Sequence, residues 1–182
     1  LFKNGSPSSW PHKSEKSVRW AEPEKTQVIL ALEELPSELF SPNLKGIYRF
    51  KKSKDFPNPA SGANGIIVLY DTSFNADRNI GRIIAHEFAH QHWHDLSPDA
   101  RKDYRSATGW FRKVGEDRVL YWTPRNDGFV QDDGRASYDE DYANNLEHFL
   151  YDPDKLKKIT PRAYDWFVKK FGEQFRLKGK NK

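Results

Sequence analysis

Apolar residues recur along this chain at changing spacings, and each change marks an element boundary. From Glu24 to about Leu35, the positions Val28, Leu32 and Leu35 fall at helical spacing, and Pro36 ends the helix. Ile47, Tyr48 and Phe50 mark a short strand. Residues 55–65 mix Pro, Gly, Asn and Asp and are expected to be loop. The continuous apolar run Ile66-Ile67-Val68-Leu69-Tyr70 is the clearest strand in the chain. A helix is expected from about Asp77 to Leu96, with Ile80, Ile83 and Ile84 leading into His86 and His90. Ser97-Pro98 reads as an N-cap followed by a first-turn proline. The helix it starts is expected to reach about Val114 and to bury Tyr104, Ala107 and Phe111. Arg118 to Trp122 suits a strand, and residues 123–138 a Gly- and Asp-rich loop. Tyr142, Leu146, Phe149 and Leu150 predict a helix from Asp139 to Tyr151. Thr160-Pro161 opens a last amphipathic helix with Tyr164, Phe167, Val168 and Phe171. There is no internal repeat. A helix, then strands, then mostly helices predicts an α+β fold.

Composition narrows the class. The 182 residues suit one domain, with 36% hydrophobic and 14% aromatic residues to build a core. Residues 1–23 read as an N-terminal extension in which Trp10 and Trp20 signal packing. Residues 24–176 are the expected domain, and 177–182 a solvated basic tail following Arg176. The net charge of +4 is mild, and no basic stripe interleaved with aromatics points to nucleic acid. No apolar run is long enough for a membrane span. Without cysteine, disulfides and Cys-ligated zinc are excluded. The chain opens on Leu1 and lacks methionine, so a processed N-terminus is expected. A monomer is expected as well.

The chemistry concentrates in His86-Glu87-Phe88-Ala89-His90, an H-E-x-x-H pattern inside the second expected helix. Spacing of four puts both imidazoles on one helix face, about 6 Å apart along the axis. Two neutral imidazoles so placed suit one Zn²⁺, with Glu87 beside them as general base for an activated water. A catalytic zinc needs a third protein ligand. His94 lies about 12 Å along the axis from His86, too far to share an ion, and His92 points off the ligand face. Both are expected at the surface or in a second site. Glu140, at the start of a downstream helix, is a candidate third ligand. Spacing alone leaves open a capping role for it, with Asp139, Asp141 and Glu147 as competitors.

His86-Glu87-Phe88-Ala89-His90, followed about fifty residues on by Glu140-Asp141-Tyr142-Ala143, resembles the gluzincin metallopeptidases. It is most similar to the group of the anthrax lethal factor catalytic domain and the bacterial Pro-Pro endopeptidases. The strand Ile66–Tyr70 and the stretch 161–167 fit the same pattern, so the resemblance spans about residues 28–171. It implies a zincin-like domain, with a small sheet packed on the H-E-x-x-H helix and further C-terminal helices. It also implies one catalytic zinc on His86, His90 and Glu140, a peptide or protein substrate, and a secreted or periplasmic setting. Ile66, Ile67, Val68, Leu69 and Tyr70 would pair with an extended substrate. Two positions depart from the group. Asp133 stands where an oxyanion-stabilising tyrosine is usual, leaving Tyr138 or Tyr121 as substitutes. Asn144 replaces a carboxylate that supports a ligating histidine, a role an amide oxygen also fills less strongly. These departures support an alternative, a zinc-containing but weakly active or inactive domain that binds proteins.

Overall fold

A computed structural model describes residues 1–55 and 57–178. Its helices and small sheets coexist as the α+β order predicted. Residues Leu1–Gln91 and His92–Lys182 form two compact units. No helix among the described residues is long and apolar enough to cross a membrane.

The first unit is built around a four-stranded sheet. Its strands are β1 (Phe2–Lys3), β2 (Gly46–Arg49), β3 (Ala60–Ala63) and β4 (Ile66–Leu69), in the order β1-β2-β4-β3. The first three in that order run parallel, and β3 is antiparallel to β4. Every residue of β4 is buried, which is why its sequence is unbroken apolar. Part of the expected loop at 55–65 is strand. β3 joins β4 through Asn64-Gly65, both at positive φ (54° and 79°), the signature of a two-residue hairpin turn. The small residues Ala-Ser-Gly-Ala concealed that strand, whose turn signal lies at its end.

Helix α1 (Glu22–Glu34) buries Val28 and Leu32, and Leu35 beyond it is buried too. It begins two residues before the expected start, with Pro23 in its first turn. Arg49 ties it to the sheet, bonding Glu24 at 2.8 Å and Asp71 at 2.6 Å. Residues 1–23 supply β1 and also reach the core, where Trp10 packs with Phe50, Ile66, Val68 and Tyr70.

The second unit is organised by α4 (Tyr138–Tyr151), in which every residue from Asp141 to Leu150 is buried. It packs with α5 (Pro153–Ile159), which the sequence reading did not expect, and with α6 (Pro161–Phe171). Helix α3 (Pro98–Ala107) adds Tyr104 to a cluster with Trp93, Tyr142, Trp166 and Phe167. The helix expected to reach Val114 stops earlier, because Gly109 turns the chain at φ 87°. Phe111, expected inside that helix, is instead exposed on a hairpin of β5 (Phe111–Val114) and β6 (Leu120–Thr123). At the C-terminus, Phe175 and Leu177 are buried, so packing continues past the point where a solvated tail was expected. Residues 179–182 of that tail lie outside the described residues.

The N-terminal segment is fastened by one buried carboxylate. Glu15 Oε2 accepts from Trp10 Nε1 at 2.9 Å and from the Tyr70 hydroxyl at 2.8 Å, and Oε1 accepts from the Lys54 N–H at 2.9 Å. Replacing Glu15 with Ala strands three donors at once. The expected loss is about 3 kcal/mol in urea unfolding, with Glu15→Gln losing less.

Candidate metal centre

Helix α2 (Ile80–Asp95) carries the motif. Ile84, Ala85, Phe88 and Ala89 are buried, and the Phe88 ring meets Phe40 edge-on at 5.1 Å. That anchored flank leaves His86 and His90 on a half-buried face one turn apart. Their Nε2 atoms converge to 3.1 Å, with ring centroids 4.8 Å apart. Two imidazole nitrogens this close either share one N–H or direct two lone pairs at one cation. Zinc–nitrogen bonds of about 2.0–2.1 Å in a tetrahedral set put two ligand nitrogens about 3.3 Å apart, close to the separation here.

Glu140 lies in the first turn of α4, where its N–H donates to the Ser137 N-cap hydroxyl at 3.3 Å. The cap therefore uses Glu140's backbone and not its carboxylate. Ligand atoms of His86, His90 and Glu140 all lie within 4.8 Å of one another, a group able to hold a metal ion. Two imidazoles and a carboxylate are a suitable donor set for zinc. Among the competitors, Asp141 turns into the core, and Glu147 Oε2 accepts from Gln131 Nε2 at 3.3 Å.

Asp141 is the hub of the network beside Glu140. Only 1% exposed, it takes a bidentate pair of bonds from Arg125, both 2.8 Å, and further bonds from Trp110 Nε1 (2.9 Å) and Asn145 Nδ2 (3.0 Å). Burial, then the adjacent Asp141 charge, raises the Tyr104 pKa well above its usual value, keeping that phenol a donor. Sequence reasoning missed Arg125, because no spacing rule links a loop arginine to a helix sixteen residues on.

Glu87, the expected base, is 6% exposed. Its carboxylate lies against Gly62 of β3, where an added Cβ would meet Glu87 Oε2 at 3.0 Å. This corrects the expected substrate strand. Ile66, Ile67, Val68 and Leu69 have both edges paired, by β2 and β3, and Tyr70 lies just beyond β4. They have no backbone edge to offer a peptide. The outer edge beside Glu87 belongs to β3.

The two departures from the gluzincin pattern meet each other. Asn144 Nδ2 donates to Asp133 Oδ1 at 2.7 Å. Asn144 is buried, and its Oδ1 accepts no hydrogen bond, so the expected acceptor role toward a ligating histidine is not formed. Tyr138 packs against Trp93 and Trp110 with the Arg105 guanidinium 4.8 Å over its ring. Tyr121 is exposed and donates to Asp117. His94 is exposed as expected. His92 is half-buried rather than exposed. It stacks on Tyr142, pairs with the Tyr142 hydroxyl at 2.8 Å, and burial, reinforced by Lys170 and opposed by Asp95, lowers its pKa to about 4.

No family model, no curated protein and no solved structure matches the chain.

Arg125→Ala leaves the buried Asp141 carboxylate without its guanidinium partner. Stability is expected to fall by about 3–5 kcal/mol in chemical denaturation. Arg125→Lys recovers only part, because an ammonium cannot reproduce the two-pronged contact.

Proposed function

We propose that this chain is a zinc-dependent endopeptidase whose metal is held by His86, His90 and Glu140. The convergence of these three side chains carries the reading. It is supported by the glutamate between the histidines, whose carboxylate faces the outer strand of a sheet. Held there, zinc would supply a water of lowered pKa, toward about 7, and Lewis acidity toward a carbonyl. Glu87 would act as general base for the attacking water and then as general acid toward the leaving amine. His86 and His90 would hold the ion, their Nε2 atoms being the ones that converge, and this would leave each Nδ1–H as a donor. The peptide lies extended along β3, main chain to main chain, so the backbone contributes affinity with little sequence selection.

A second reading is favoured by one observation. Asn144 donates to Asp133 instead of presenting a carboxylate, and position 133 holds no phenol. With support and oxyanion donor both altered, the domain would hold zinc and bind proteins while cleaving them poorly.

The deciding experiment loads wild type, Glu87→Ala and His90→Ala with zinc and presents each with a diverse peptide library. Wild type should bind one zinc and cleave. Glu87→Ala should keep the zinc, with cleavage reduced by about a hundredfold to ten-thousandfold. His90→Ala should lose both. Zinc without cleavage in wild type favours the binding domain, and wild type that takes up no zinc ends both readings.

A further inference from the structure

A general base works only when its carboxylate is held within about 0.5 Å of the productive position. The helix fixes the Cα and Cβ of Glu87 and leaves the rotatable bonds beyond them to its surroundings. The Glu87 carboxylate lies beside Gly62, inside β3. A Cβ at residue 62 would lie 3.0 Å from Glu87 Oε2, 3.3 Å from Gln91 Nε2 and 3.7 Å from the Ile66 carbonyl. The first two are inside comfortable contact, and both belong to side chains one turn apart on α2.

Nothing about the backbone explains a glycine here. Gly62 is not among the positive-φ residues, and its neighbours in the strand, Ser61 and Ala63, carry side chains. Glycine inside a strand is a net cost in conformational entropy and packing, and its use often marks a close approach by another group. The close approach in this case is the carboxylate of Glu87.

We infer that Gly62 is a positioning residue for the general base: the missing side chain at position 62 sets where the Glu87 carboxylate rests. This rests on the peptidase reading. Because the two nearest atoms are the ends of flexible side chains, an alanine at 62 is accommodated by the fold. The accommodation consists of moving Glu87 and Gln91 by a few tenths of an ångström. Zinc binding, made by other residues, is untouched, and so is main-chain pairing along β3. The loss falls on turnover alone.

The test uses wild type, Gly62→Ala, Glu87→Ala and the double variant. Gly62→Ala should bind zinc as wild type does in a chelator competition. On a peptide that wild type cleaves, its kcat should fall by about tenfold with KM within about twofold. The activity-independent arm is thermal unfolding. The Tm change on Gly62→Ala should be more favourable in the Glu87→Ala background, where the crowding oxygen is gone, than beside Glu87. Additive Tm changes, or an unchanged kcat, overturn the inference. Coupled Tm changes in a wild type that binds zinc and cleaves nothing overturn it too, since the contact would then be packing only, and they end the peptidase reading at the same time. A weakened zinc affinity in Gly62→Ala would place its effect on the metal ligands and reject the role assigned to Glu87.

Discussion

The repeat of the α-helix is the constraint from which this arrangement follows. A turn of 3.6 residues cannot bring positions 86 and 90 together without sending position 87 around the shoulder of the helix. In α2 the histidines occupy a half-buried face, Phe88 and Ala89 sink into the core, and Glu87 is delivered against β3. Burial on one flank makes the spacing effective: with Phe88 locked against Phe40, the helix has no freedom to roll and turn its histidines away.

Charge is handled differently in the two units. In the first, Glu15 is buried with neutral donors around both oxygens, so indole, phenol and backbone together replace water. In the second, Asp141 is neutralised by a guanidinium fork and then ringed by Trp110, Asn145 and Tyr104. Both carboxylates organise segments lacking regular structure: the N-terminal stretch through Trp10, and the loop through Arg125. Such segments present few apolar side chains, and directional bonds reinforce the burial of those they have, such as Trp10.

Elements whose own side chains encode their burial were legible in the sequence. The run Ile66–Leu69, the Leu146 and Phe149 face of α4, and the Pro161 start of α6 were all read correctly. His86, His90 and Glu140 also came from the sequence, the two histidines from local spacing and the glutamate from the resemblance, and they form a group that could hold a metal ion. Contacts with no local signature were hidden. β3 has no large side chain to betray it. The stop of α3 at Gly109 was overridden by an apolar spacing that continued to Phe111. The place of β4 inside the sheet depends on partners from two other segments, so assigning it to substrate failed once those partners were seen. His92 was misjudged because helix phase gives a direction and does not say what lies there.

The two-residue turn Asn64-Gly65 sets the register of β3 against β4, pairing Gly62 with Ile67. Side chains alternate across a strand, so slipping β3 by a single residue would exchange Gly62 for Ser61 or Ala63 beside α2. Many substitutions in β3 would leave the strand in place, whereas an insertion or deletion in its turn would bring a side chain up to the Glu87 carboxylate. For this hairpin the sensitive quantity is loop length, and a change of one residue would be felt across the sheet's edge without altering His86, His90 or Glu140.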